Sequence, residues 1–336
     1  MKNCAIIKST AKYLPDNRVT NDELTHLMDT TDEWIRQRTG IEARYWVRED
    51  DDVGTSDLAL EASRTALARA GWKPADLDLI VMATMTSDTY IPGAGAHLQH
   101  KLGGGYVPAL DIRQQCTGFL HGLEVCNAYI RSGIARKILL AGADYQSRFM
   151  EKTTANRDTA VIFADGAGVV CIAAEETDKE TGILASVFHA DGKHADSLRV
   201  GIPARKSGYY MDPDVVANNE HFPYMDGRTV FKMAVTRLPE VAGELLDKAG
   251  MQLEDIDMVI PHQASLRINE AFRDRLKLPE EKIYNNIQEY GNTTSATIPI
   301  ALDELMEKKM LKPGDNVLFI GLGAGLTWGG VVYKLP

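Results

Sequence analysis

The feature that most limits what this chain can become is a repeat within itself. Residues 66–84, ALARAGWKPADLDLIVMAT, are echoed by residues 245–263, LLDKAGMQLEDIDMVIPHQ, so that Gly250 follows Gly71 by 179 positions. Ile138 in KILLAGAD and Val317 in NVLFIGLG also stand 179 apart. Two separate elements sharing one register imply two halves built in the same order. Helical stretches (TSDLALEASRTALARAG, VFKMAVTRLPEVAGELLDKAG) alternate with short apolar strands (LDLIVMA, KILLAGA, MVIPH, NVLFIG), the α/β pattern of sheets covered by helices. The halves read as residues 1–175 and 176–336, with the polar stretch EETDKE at 175–180 between them. No proline-rich or low-complexity linker intervenes, so tight packing of the halves is expected.

Composition narrows the classes of function. At 336 residues, 44% hydrophobic and 25% charged, the chain is that of a folded protein with a large core. A net charge of −10 argues against broad nucleic-acid binding, which needs clustered Lys and Arg. No run of about 18 apolar residues is present, and MKNCAIIKSTAKYLPDNRVT lacks the apolar core of a signal peptide, so a cytoplasmic protein with no membrane partner is expected. Cys4, Cys116, Cys126 and Cys171 are widely spaced, with no CxxC, which predicts reduced thiols and no zinc site. HLQH (His97, His100) and HADGKH (His189, His194) lack a third ligand, so no metal is expected there either.

One cysteine stands apart. In DIRQQCTGFLHG, residues 111–122, Cys116 precedes Phe119, Leu123, Cys126 and Ile130 at helical spacing, which places it at the first turn of a buried helix. Unpaired N–H groups and partial positive charge there favour thiolate over thiol. Cys116 is thus a candidate nucleophile; the bland reading is a small buried residue, which suits Cys126, Cys4 and Cys171. A shift of 179 carries Cys116 to Ser295 in YGNTTSATIPIAL, so pseudo-twofold packing would bring two helix starts together. His262 follows the strand-like IDMVIP, where α/β strands usually face ligands, although a lone strand-end His is more often structural. Asn292 taken alone is a turn or N-cap residue. GLGAGLTWGG places Gly321, Gly323, Gly325, Gly329 and Gly330 between two strands. It lacks the following helix and Lys of a phosphate loop, so its glycines would instead let backbone N–H groups approach a substrate.

Six segments, TTDEWIRQRTGIEAR, DIRQQCTGF, FADGAGVV, PHQASLRI, YGNTTSA and GLGAGLTWGG, occur in the order and spacing of β-ketoacyl-[acyl carrier protein] synthase III, which the chain resembles over nearly its whole length. The resemblance implies the thiolase fold, α/β with two pseudo-duplicated halves in five layers, αβαβα, in a homodimer. It implies an acyltransferase that condenses an acyl group from acyl-CoA with a malonyl thioester, needing no cofactor beyond its substrates. Cys116 would hold the acyl group, His262 and Asn292 would complete the catalytic site, and the backbone N–H groups of Cys116 and Ala324 would hold the oxyanion. Trp34, Arg38, Arg157, Phe231 and Arg267 would bind the coenzyme A end. Lys232, Arg267, Arg273 and Arg275 would dock an acidic acyl carrier protein.

The chain departs from the family pattern at Gln115 (usually Ala), Ser265 (Asn), Leu322 (Phe) and Ala324 (Gly). Ile91 stands where a Phe is common at the acyl pocket of the partner subunit. Ile91, Gln115 and Leu322 are therefore expected to shape an acyl pocket deeper than an acetyl-only one. A rival reading is a specialised-metabolism relative that condenses unusual acyl groups or transfers acyl to an oxygen or nitrogen acceptor. A degradative thiolase would carry a second cysteine within residues 321–330, where none occurs; hydroxymethylglutaryl-CoA synthase would need a glutamate that no motif supplies. A non-catalytic partner subunit would usually have the nucleophile replaced.

Overall fold

Strands buried on both faces should be apolar throughout, and Leu79–Ala83 and Lys137–Tyr145 are buried almost along their whole length. The computed structural model describes residues 2–201 and 213–336. In its first sheet the strands run in the order Lys2–Tyr13, Asp165–Thr177, Lys137–Tyr145, Leu79–Ala83, Ala109–Ile112. Leu79–Ala83 is parallel to both of its neighbours, and the remaining pairs are antiparallel. The second sheet repeats this as Gly182–Ala190, Thr327–Lys334, Asn316–Gly323, Met258–Pro261, with the same strand directions.

The register of 179 persists in three dimensions. It relates the strand starts Leu79 and Met258, the strand starts Lys137 and Asn316, and the short 3-10 turns Pro74–Asp76 and Leu253–Asp255. It also relates Gly71 and Gly250, which close the helices Thr55–Ala70 and Gly227–Ala249 at φ 68° and 67°, a left-handed conformation that glycine adopts without steric cost. The repeat breaks down at the edge strand. Ala109–Ile112 is an edge strand, whereas its equivalent segment folds as the short helix Ile287–Tyr290. The fifth strand of the second sheet is reduced to a single parallel bridge between Val259 and Ile283.

Side-chain alternation along the strands sorts the core into layers. Leu79 and Val81 of one sheet and Met258 and Ile260 of the other face a central layer. That layer consists of two helices, Gly118–Arg131 and Thr297–Glu307, with Phe119, Leu123, Ile298 and Leu302 between the sheets. Ile80 and Met82 face outward onto Thr55–Ala70 and Ala94–Leu102. Val259 and Leu318 face outward onto Gly227–Ala249 and Leu266–Leu276. The result is the five-layer αβαβα order that the resemblance implies. A fourth apolar cluster, containing Ile35, Trp46, Val161 and Phe163, caps one end and walls the site described next. Among the described residues no helix is long and apolar enough to cross a membrane, and all four cysteines are free thiols.

Candidate active site

The two central helices begin at equivalent turns, Gln115–Thr117 and Thr294–Ala296. Both turns open on a residue with positive φ, Gln115 at 46° and Thr294 at 56°. The sharp bend so made turns each helix start inward, and the two starts meet. Their surroundings differ in one decisive respect. Ser295 is held by Asp144, which accepts from its Oγ at 2.6 Å and its N–H at 3.0 Å. Asp144 also accepts from Met85 N at 2.9 Å, Thr86 Oγ1 at 3.0 Å and Thr84 Oγ1 at 3.1 Å. The equivalent of Asp144 in the second half is Gly323, and a Cβ there would lie 2.9 Å from the Cβ of Cys116. One helix start is therefore filled by a carboxylate, and the other is open.

Cys116 occupies the open one. The bare backbone at Gly323 lets the strand end close on the cysteine, so that the N–H groups of Ala324 and of Cys116 itself both act on the sulfur. Burial, reinforced by the charge of Asp144, nevertheless pushes the thiol up to about 12. The expectation of an acidified thiol is corrected accordingly. The donors expected at a helix start are present, but loss of solvent outweighs them, and the resting group is a thiol.

His262 follows the strand Met258–Pro261, and its N–H donates to Ile320 O at 2.7 Å. Nδ1 lies 2.7 Å from Thr297 Oγ1, while the buried Nε2 has no hydrogen-bond partner among the described residues. Burial pushes its pKa down to about 3, so the ring is neutral near pH 7. Asn292 is fixed by its backbone, which donates to Ile162 O and accepts from Ala164 N, both at 2.9 Å. Its Oδ1 accepts from Thr294 N at 2.8 Å, an Asx turn that leaves the amide N–H groups as the donors it can offer a ligand.

Cys116, His262 and Asn292 all line one cavity of about 480 Å³, together with Trp34, Arg38, Phe231, Arg267 and Leu322. Trp34 and Arg38 are brought there by the helix Asp32–Thr39, whose N-cap Thr31 accepts from Trp34 N at 3.1 Å. Arg157 is not part of the lining. Its guanidinium lies 4.7 Å from the Trp34 ring, that of Arg38 lies 4.3 Å away, and its Nη1 donates to Asp29 O. Arg267 lies 5.5 Å from the Phe231 ring. Ser265 lines the cavity at the N-cap of the helix Leu266–Leu276, with Oγ 3.3 Å from Arg38 O.

Other expected residues lie elsewhere. Lys232 is exposed beside Phe231, and Arg273 and Arg275 stand in the last turn of Leu266–Leu276, all outside the cavity lining. Gln115 is half-buried and Ile91 is 81% exposed, and neither is among the lining residues. His97 lies 3.1 Å from Thr89 Oγ1 and His189 meets Glu244 at 2.8 Å. Among the described residues no group of three or more His, Cys, Asp or Glu is placed to hold a metal ion. Sequence reasoning missed Arg228 and Asp158, which also line the cavity, and Thr297. The first two sit in no motif; Thr297 was reachable, since the 179-residue shift carries Gly118 onto it.

Comparison with known proteins bears on this geometry. Residues 110–192 match the family model described as 3-oxoacyl-[acyl-carrier-protein (ACP)] synthase III, and residues 246–335 match the model of its C-terminal part. The chain is similar to the β-ketoacyl-[acyl-carrier-protein] synthase III of Fusobacterium nucleatum, 42% identical over 328 residues and 98% of each chain. It is likewise similar to that of Clostridium perfringens, 42% identical over 336 residues and the full length of both. Among solved structures, the 3-oxoacyl-[acyl-carrier-protein] synthase III from Aquifex aeolicus superposes with a TM-score of 0.88 at 37% identity, covering 98% of this chain and 99% of the other.

Proposed function

The chain belongs to the 3-oxoacyl-[acyl-carrier-protein] synthase III family, and from that premise we propose how its residues carry the family reaction. An acyl group from acyl-CoA is condensed with malonyl-ACP, with loss of carbon dioxide, to give β-ketoacyl-ACP in fatty acid biosynthesis. The observation that carries this reading is the meeting of Cys116, His262 and Asn292 on one cavity wall, with the N–H groups of Cys116 and Ala324 on the sulfur.

The Cys116 sulfur attacks the thioester carbonyl, and the two N–H groups take the oxyanion. The carbon–sulfur bond of acyl-CoA breaks, and the departing coenzyme A thiolate takes the proton that Cys116 gives up. Malonyl-ACP then loses carbon dioxide. The broken bond's electrons form an enolate, whose oxygen receives hydrogen bonds from His262 and Asn292. Its carbon attacks the acyl-Cys116 carbonyl, the carbon–sulfur bond breaks, and the Cys116 thiolate so released takes one proton from solvent. Electrons and protons balance without a cofactor; acyl-CoA and malonyl-ACP are substrates.

The rest of the site is read on the same basis. Residues 1–175 form the half that carries the nucleophile, and residues 176–336 the half that carries His262 and Asn292. Trp34 with Arg38 and Arg157, and Phe231 with Arg267, offer flat and cationic faces to the adenine and phosphates of coenzyme A. Lys232, Arg267, Arg273 and Arg275 form the docking face for the acidic carrier protein. The enzyme is a cytoplasmic homodimer joined along the edge strand Ala109–Ile112. Supporting this, Ala109 and Asp111 of that edge are exposed, as are Tyr106 and Ile91 nearby in the chain. In the dimer Ile91 enters the partner's acyl pocket and, with Gln115 and Leu322, admits medium or branched acyl groups.

The test is a panel of acyl-CoAs offered to the protein, with intact mass spectrometry of the Cys116 adduct, followed by malonyl-ACP. Loss of the adduct with release of carbon dioxide is expected. Discharge only onto an alcohol or amine would overturn condensation in favour of acyl transfer.

A further inference from the structure

A neutral imidazole carries one ring hydrogen, and which nitrogen holds it decides what the ring can do. On Nε2 it is a donor for an enolate oxygen; on Nδ1 it leaves a lone pair on Nε2, which repels that oxygen. His262 faces this choice, because among the described residues its Nε2 has no partner and its Nδ1 has one, the hydroxyl of Thr297 at 2.7 Å. We propose that Thr297 is a positioning residue that sets the tautomer of His262, its hydroxyl donating to Nδ1 so that the hydrogen stands on Nε2. The inference rests on the condensation reading above for its consequence, though not for its geometry.

The argument turns on where one hydroxyl hydrogen goes. Thr297 Oγ1 has two acceptors in reach, His262 Nδ1 at 2.7 Å and the carbonyl of Thr294 at 3.2 Å. The carbonyl already receives the backbone N–H of Thr297, whereas among the described residues Nδ1 meets only the Thr297 hydroxyl. Donation to the ring therefore satisfies both acceptors, and donation to the carbonyl would satisfy one of them twice. Thr297 is 3% exposed, so bulk water does not compete for the hydroxyl. It is also the first residue of Thr297–Glu307, so the helix that completes the central layer holds the hydroxyl in place. During decarboxylation the Nε2–H is shared with the enolate oxygen and not transferred, and no further proton movement is needed.

The tautomer can be read without substrate, from the nitrogen resonances of ¹⁵N-histidine-labelled enzyme, with His262→Gln for assignment. Protonated-type Nε2 and lone-pair-type Nδ1 are expected, and the reverse pattern overturns the proposal. Thr297→Val keeps the shape and removes the hydroxyl. It should slow carbon dioxide release from malonyl-ACP by about ten- to a hundred-fold, with acyl loading of Cys116 within about two-fold of wild type. Thr297→Ser should restore most of the rate. Equal loss of both steps, loss of loading alone, or no loss would each overturn it. If wild-type enzyme loads but never releases carbon dioxide, condensation is what fails, and the resonances still decide the tautomer.

Discussion

Cys116 and His262 are buried groups pushed in opposite directions, the thiol up to about 12 and the imidazole down to about 3. Both therefore rest uncharged; donation to an enolate requires this of His262, whereas Cys116 must give up its proton as it attacks. Asp144 contributes to the first shift, so Asp144→Asn should move the pH profile of Cys116 alkylation by iodoacetamide to lower pH. Cys116→Ala should abolish the acyl adduct in intact mass spectra. For His262 the folded state binds its proton less tightly than the unfolded chain does. Stability should then fall as pH drops from about 6.5, by up to about 1.4 kcal/mol per pH unit, and His262→Gln should flatten that slope in denaturant titrations. The positions of these residues were legible in the sequence: Cys116 from the helical spacing behind it, His262 from a strand end, and Asn292 from the family resemblance alone. The acidity of the thiol was not, because a helix-start rule counts donors and charge but cannot see the solvent that folding removes.

Among elements, the helix Gly118–Arg131 and its equivalent Thr297–Glu307 lie between two sheets and are buried along most of their length. Phe119→Ala should cost about 3–5 kcal/mol in urea unfolding, since the ring is fully buried in the central layer. At the strand end, Gly323→Ala should reduce loading of Cys116 by well over ten-fold, because the added Cβ cannot coexist with the cysteine at 2.9 Å. The fold was readable where the periodicity is strong: strands buried on both faces and helices ending at Gly71 and Gly250 follow from local pattern. It was not readable where the repeat breaks. The fifth strand is reduced to a bridge at Ile283, and the chain then turns through the short helix Ile287–Tyr290 before Asn292, which lines the cavity. Arg228 and Asp158 stayed hidden for a simpler reason: a charged residue at a cavity mouth looks, in sequence, like any other on the surface.

At the scale of the whole molecule, the proposed dimer implies that one chain does not enclose everything the reaction needs. Ile91 is 81% exposed, and on the dimer reading it belongs to the partner's acyl pocket. Ile91→Phe should then shift loading toward acetyl-CoA over longer acyl-CoAs by about ten-fold, read from competition between two acyl-CoAs in one mass spectrum. The duplicated architecture also divides its duties between copies. Ser295 and Asp144 bind one half to the other through the same kind of turn that, at Cys116 and Gly323, is left open for chemistry. The backbone is thus nearly symmetric while the reactivity is not. A chain holding a spare copy of its own catalytic turn can commit that copy to cohesion, and damage at Ser295 should register as a loosened junction between the halves, whereas damage at Cys116 registers as a silent enzyme in an intact fold.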